Sequence, residues 1–506
     1  MSKQRDGKTL RERLNAPVRL EFLNRGPGTA VDKIAFCALA AFCLFPVVIA
    51  LLTLRHFSFD RMVDENMALL DWGIFPFVTL CAAAVYVLTF RQMRREKRSP
   101  LAELRQSPTL ILFALLLVWM CVNFFLLHRV PGGLFHGLLL RHESFSLTLE
   151  YYLGFFALGM ALRDERLKLW LLRGLTVVSV FLAVCAFPLR KHITASDFYS
   201  DWTPRFASIF TNTNYYGYFL SVLIGLCAAL FAAEEPPRWR TFYAFALMFN
   251  TVALGFNGTR GAWIAALFAC AFLVIACRVR DGRFQLRSLI ALGIFLAAFS
   301  ITTYYVNLPR ASLLVSDVQT VMRDPSFESS ASVGAERWGV WIRCLDIIRA
   351  NPLFGIGFEG LYVWGLDEYV KNTRPHNEFL QYAVFYGIPA AILYIAGCTS
   401  VYLRAVRRRA RLDNLTLAAL TGAFGYLIGS FFGVSVYNTA PFLFIMLGLG
   451  YVHADAKPIS APADAKTVSA PVDAKPISAP ADAKTVPARA DKKQAASRKT
   501  RKARKK

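Results

Sequence analysis

The chain has 506 residues, 55% of them hydrophobic and 18% charged, with a mean hydropathy of +0.40 and a formal net charge of +24. A soluble chain carries about 25% charged residues, so this composition excludes an ordinary soluble enzyme and also excludes disorder over most of the length. A pI near 9.8 leaves nucleic-acid or anionic-lipid binding open until the cations are located along the chain.

Residues 1–33 form a basic segment with eight Lys or Arg. Apolar runs follow, each near the ~20 residues that cross a hydrocarbon core. They occupy 34–54, 72–90, 109–127, 145–162, 167–187, 207–232, 241–256, 261–277, 288–306, 378–403, 415–433 and 438–452. The first run is long for a signal-peptide core and no small-residue cleavage site follows it, so it reads as a retained span. About twelve transmembrane helices are expected, an all-α polytopic integral membrane protein whose spanning region covers 34–452.

Alternate connections differ in charge. One side holds 42 Lys or Arg and the other 15, with Arg173 inside a span. The positive-inside rule then puts both termini in the cytoplasm. Fourteen of the 42 fall in residues 453–506, where DAKPISAPADAKTVSAPV recurs almost unchanged as DAKPISAPADAKTVPARA. With no aromatic residue beyond the span and Pro and Ala at short intervals, this segment reads as a disordered basic tail. The charge records topology and leaves no nucleic-acid footprint.

Nine of the ten cysteines lie in apolar runs, the exception being Cys344. No CxxC pair or zinc-type His/Cys spacing occurs, so neither a disulfide framework nor a metal site is expected.

The longest outer connection is 307–377, with seven basic and eight acidic residues. In it, Trp338, Trp341, Ile342, Leu345 and Ile348 follow helical spacing, and Asn351-Pro352 ends the pattern. Such a helix suits either the membrane interface or packing against other outer segments. GIGFEG at 355–360 matches GxGxxG, but no strand or βαβ unit surrounds it, and tight turns explain its glycines better than a nucleotide does.

Six of the seven histidines fall in outer connections. His376 stands apart in RPHNEFLQYAVFYGIPA, between Arg374 and Asn377, the latter a plausible helix N-cap. A neutral imidazole there can take a proton at neutral pH, although a structural role fits the residues equally well. Arg205 opens the sixth run and Arg260 sits in the short NGTRGA turn. Thr211, Asn214, Tyr218 and Ser221 share one helical face after Arg205. Two cations beside a membrane suit a diphosphate, because the guanidinium fork matches phosphate oxygens; interfacial anchoring is the alternative. There is no DxD motif and no P-loop.

The many-span layout, the late outer loop, NPLFGIGFEG followed by RPHNEFLQYAVFYGIPA, RFASIFTNTN and NGTRGAW together resemble the O-antigen ligase and polymerase superfamily of bacterial envelope glycosyltransferases. The resemblance covers roughly 34–452. It implies a helical inner-membrane enzyme that takes a glycan from an undecaprenyl-diphosphate carrier at the periplasmic face, with short helices in a large periplasmic loop. In the ligase branch, favoured here by span count and loop position, the acceptor is a sugar hydroxyl of lipid A-core and neither metal nor other cofactor is required. His376 matches the family's proposed general base, and Arg205 and Arg260 match the arginines expected to hold the diphosphate. Arg337 is a secondary candidate for that role, and Asn214, Arg374 and Asn377 are candidates for the substrate cavity. Membrane lipids complete the expected partners, and nucleic acid is not among them. Polymerase activity is the alternative within the superfamily. Outside it, a lipid-linked glycan flippase or secondary transporter would call for internal repeats or charges deep in spans. No repeat is evident among the spans, and only Glu150 and Arg173 lie near span interiors.

Overall fold

The computed structural model describes residues 29–56, 69–127, 133–135, 143–189, 206–210, 212–233, 236–306, 308–324, 333–334, 337–363 and 374–453. The chain divides into two units, Met1–Ile459 and Ser460–Lys506, and every described residue belongs to the first. The DAK repeats expected to be disordered and most of the basic N-terminal segment therefore lie outside the described residues.

Every regular element among the described residues is helical. In chain order they are α1 (Ala30–His56), α2 (Phe75–Arg95, entered through a π-helical turn at Leu70–Ile74), α3 (Pro100–Arg105), α4 (Pro108–Leu127), α5 (Phe145–Glu150), α6 (Ala157–Ala161), α7 (Glu165–Leu189), α8 (Thr213–Ala232) and α9 (Pro237–Asn257). There follow α10 (Arg260–Asp281), α11 (Leu286–Val306), α12 (Leu308–Arg323), α13 (Arg337–Ala350), α14 (Gly360–Val363), α15 (Glu378–Tyr386), α16 (Ile388–Arg407), α17 (Asn414–Gly429) and α18 (Ala440–Leu449).

Eight of these helical segments are long and apolar enough to cross a membrane: Ala30–Leu54, Leu70–Arg95, Pro108–Leu127, Glu165–Leu189, Thr213–Ala232, Arg260–Asp281, Leu286–Val306 and Ile388–Arg407. The protein is thus a multi-pass membrane protein. The other expected runs are helical too, but Asn414–Gly429 and Ala440–Leu449 are short, and α9 opens on Arg238 and Arg240. Phe145–Ala161 passes through a π-helical segment at Tyr151–Phe156. A π turn loosens the backbone ladder, and Tyr86 donates from its hydroxyl to Leu153 O within it at 2.9 Å.

Helix α8 is the centre of the bundle, with 94% of its apolar window buried. Small residues let α17 approach it: a Cβ on Gly225 would lie 2.9 Å from Thr421 O, and one on Gly425 would lie 2.7 Å from Ser221 O. Such backbone-to-backbone contact is how helices associate where the surrounding lipid is as apolar as the side chains. The two charges near span interiors are both engaged. Arg173 lies 4.3 Å over the Trp239 ring and donates to the Tyr243 hydroxyl at 3.3 Å, and Glu150 accepts from Thr79 Oγ1 at 2.8 Å.

At the end where α1 begins, Thr29 caps the helix by accepting from Asp32 N, and the Asp32 carboxylate accepts back from Thr29 and from Arg163 N and Asp164 N, the last two at 2.7 and 2.8 Å. At the same end Ser107 and Tyr451 share a hydrogen bond of 2.7 Å, and His453 Nε2 lies 3.0 Å from Met160 O. The candidate site lies among the opposite helix ends.

Within the outer loop, α13 covers the region where the Trp-containing pattern predicts a helix. Its buried residues Val340, Cys344 and Ile348 face inward and it packs on α15, so of the two placements left open by the sequence the structure shows packing. The ten cysteines, Cys344 among them, are unpaired thiols. Helix α12 was not anticipated; it packs against α10 and α11 and leaves Leu313, Val315, Val318 and Met322 exposed. The run expected as one span over 378–403 is two helices, α15 and α16, broken at Gly387 with φ of 86°.

Candidate active site

The segment Arg374-Pro375-His376-Asn377 leads into α15. Asn377 caps that helix as the sequence predicts, its Oδ1 accepting from Leu380 N at 3.1 Å. His376 is half-buried and has φ of 49°, a left-handed conformation that only four non-glycine residues share among the described ones. Two neighbours fix the backbone around it: Trp341 Nε1 donates to Pro375 O at 2.8 Å, and Glu378 N donates to Ser430 O at 2.8 Å.

Arg374 does not open onto a wide cavity. It is buried, its guanidinium ion-paired with Glu143 and Glu359, and Nη1 also donates to Ser435 O at 2.9 Å. Burial works against its charge, but the two carboxylates outweigh that and raise its pKa further above the ordinary arginine value. Arg374 and Glu143 line a small interior cavity together with Gln381, Tyr382, Tyr386 and Ser435.

Arg260 begins α10. Its turn is held by Asn257, which donates from Nδ2 to Phe206 O and Thr213 O at 2.7 and 2.9 Å, while Thr259 Oγ1 donates to Asn214 Oδ1 at 3.5 Å. Gly258, at φ of 74°, lets the chain leave α9 and re-enter α10 within two residues. Asn214 is thereby placed beside the Arg260 turn. Arg205 and Thr211 lie outside the described residues, although Phe206, the chain neighbour of Arg205, is one of the groups Asn257 binds. The Arg260 side chain is ion-paired with Asp317 of α12, whose Oδ2 also accepts from Gly334 N at 3.2 Å.

Arg337 begins α13, and its guanidinium lies near the Tyr218 hydroxyl, which donates to Phe432 O. Phe432 is where these pieces meet. A Cβ on Gly261 would fall 2.5 Å from Phe432 Cβ, and the Trp341 ring centre lies 6.4 Å from that of Phe432. The turn at 430–432 therefore touches the start of the Arg260 helix, the hydroxyl beside Arg337 and the entry to the His376 helix. These are three sequence-predicted site segments meeting at one turn.

Sequence reasoning missed the acidic partners. Besides Asp317, Glu143 and Glu359, it passed over Glu378, which is fully buried and accepts from the Tyr394 hydroxyl at 2.8 Å and from Ser430 Oγ at 3.0 Å. Their partners lie far along the chain, so local spacing carried no signal for them. Among the described residues, no group of three or more His, Cys, Asp or Glu side chains is arranged to hold a metal ion.

The fold is that of a polytopic helical membrane protein, and the turns between its helices carry the His and Arg residues of the candidate site. Residues 243–395 match the family model described as O-Antigen ligase. The matched stretch runs from Tyr243 in α9 to Ile395 in α16 and contains Arg260, Arg337, Arg374, His376 and Asn377, while Arg205 and Asn214 precede it. No curated protein matches the chain.

Proposed function

We propose that the protein is an O-antigen ligase of the bacterial inner membrane, transferring a polysaccharide from undecaprenyl diphosphate to a sugar hydroxyl of lipid A-core at the periplasmic face. The observation that carries this reading is the meeting of the Arg260, Arg337 and His376 segments at the 430–432 turn. In this reading the chain crosses the membrane twelve times with both termini cytoplasmic, the shorter helices α17 and α18 and the π-containing segment 145–161 included.

His376 takes the proton of the acceptor hydroxyl onto its imidazole. The acceptor oxygen then bonds to the anomeric carbon as the bond from that carbon to the carrier's phosphate oxygen breaks, and the electron pair leaves with the diphosphate. Arg260 and Arg205, with Arg337 in support, hold the diphosphate and stabilise its developing charge. One displacement inverts the anomeric configuration. An apolar groove lined by Phe42, Phe45, Ile49, Leu70, Phe210 and Phe442 suits the carrier's isoprenoid chain.

The lipopolysaccharide of a deletion strain tests the proposal. Core lacking polymer, with long lipid-linked glycan accumulating, is expected for a ligase. Core bearing a single repeat would mean polymerase instead, and an unchanged outer glycan with accumulation on the cytoplasmic side would mean a flippase.

A further inference from the structure

The GIGFEG run at 355–360 has no role in the reaction described above, yet it holds both the end of α15 and the segment that leads from Arg374 through the site histidine into that helix. Helix α15 is only nine residues long, and the break at Gly387 would leave its last carbonyls without donors. Ile356 N and Gly357 N supply them, donating to Val384 O at 2.8 Å and Phe385 O at 2.9 Å, and Ile388 N donates back to Pro352 O at 2.8 Å. The approach is so close that a Cβ on Gly355 would lie 2.3 Å from Val384 O. Two residues beyond this backbone pairing, the Glu359 carboxylate takes the Arg374 guanidinium, ahead of the helix's first turn.

Two of the four left-handed non-glycine residues belong to this arrangement, Glu359 at φ of 54° and His376 at φ of 49°. Such conformations persist only where the surroundings over-determine them. For His376 those surroundings are visible: Arg374 is held by Glu143 and Glu359, Pro375 by Trp341, and Asn377 by its capping bond to Leu380 N.

We infer that Glu359 is a positioning residue for His376. Acting through Arg374, it fixes the loop that sets the imidazole, and the GIGFEG segment is the brace that aligns α15 from its two ends. The consequence for transfer rests on the reading of His376 as the base; the geometric claim does not.

The test uses the full chain, purified, with undecaprenyl-diphosphate-linked glycan as donor, and compares wild type with Glu359→Gln and Glu359→Asp. Gln keeps the size and one acceptor but leaves Arg374 with one carboxylate, while Asp keeps the charge and shortens the reach. Both are expected to lower kcat by about 10- to 100-fold with donor KM within about twofold, as a misplaced catalytic group does. A second readout needs no turnover: the rate at which diethyl pyrocarbonate modifies His376, followed on its peptide by mass spectrometry. That rate is expected to change at least about threefold in both variants while His453, at the other helix ends, stays unchanged, as local reorganisation requires. Should Glu359→Gln not fold, Glu359→Asp decides alone. An unchanged His376 modification rate, or a raised KM at constant kcat, overturns the brace. A fully active His376→Ala enzyme would overturn the base assignment instead, with the modification rates still deciding the brace.

Discussion

Arg260 and Asp317 form an ion pair between the first residue of α10 and the middle of α12. The cation expected to hold a diphosphate is therefore already engaged by a carboxylate, with each side chain about one-fifth exposed, 21% and 22%. A diphosphate entering this site has to displace Asp317 or share the guanidinium with it. A partly buried pair of this kind is worth about 1 kcal/mol, roughly fivefold in affinity. Asp317→Asn is expected to lower the donor KM by up to about fivefold, measured in steady-state transfer at fixed acceptor. A KM that rises would instead mean that Asp317 orients Arg260 for the phosphate.

The Tyr218 hydroxyl donates to Phe432 O and lies near Arg337, so it sits between one candidate phosphate contact and the turn that the other segments share. Removing it in Tyr218→Phe loses a hydrogen bond of about 1 kcal/mol and frees Arg337 to wander, raising donor KM by roughly fivefold with little change in kcat. The check is a double-mutant cycle: on an Arg337→Ala background the same change should cost nothing further in KM. Additive losses would separate Tyr218 from Arg337.

His376 joins a proposed catalytic role to a left-handed backbone. As a general base it should contribute about 10²- to 10⁴-fold to kcat, so His376→Ala should lose that much. Its left-handed backbone makes a separate claim about stability. Ala keeps the steric penalty and Gly does not, so His376→Gly should be more stable than His376→Ala by about 1 kcal/mol, despite glycine's greater freedom when unfolded. Thermal denaturation in detergent compares the two; equal stability would mean that the loop relaxes when the imidazole is gone.

How much of this was readable in the sequence depends on the range of the interaction. The apolar runs mark the helices because a helix in lipid must satisfy its own backbone, and Asn377 marks a cap because it precedes a helical pattern. The break at Gly387 was also written locally, in Gly-Ile-Pro, where Gly takes a positive φ and Pro389 favours a helix start; the unbroken apolar run masked it. Helix α12, with Asp317, lies outside the pattern that Trp338 and Trp341 mark in the loop, so that pattern gives no signal for it. The pairings of Arg374 with Glu143 and Glu359 are tertiary facts that no spacing encodes. Arg374, a cavity candidate from sequence, lines a small cavity in the fold and is at the same time a buried anchor held by two carboxylates.

The α15–α16 break makes the sharpest stability prediction. At Gly387 the backbone has φ of 86°, and an added Cβ would lie 1.9 Å from Leu353 O. Both the conformation and the backbone contact exclude a side chain, and the oxygen in the way cannot rotate aside as a flexible side chain would. Gly387→Ala should therefore destabilise by more than about 3 kcal/mol, at the severe end for a single substitution. Gly174 in α7 and Gly293 in α11 supply the comparison, since nothing lies within 4 Å of a Cβ added to either and both sit in regular helix. Alanine there should be neutral or stabilising by about 0.5 kcal/mol, because it orders a helix better than glycine does. Detergent-solubilised yield and melting temperature of the three variants measure the contrast. If Gly387→Ala behaved like the two helical controls, the 352–357 segment could not be pressed against the end of α15, and the brace on His376 would lose its anchor.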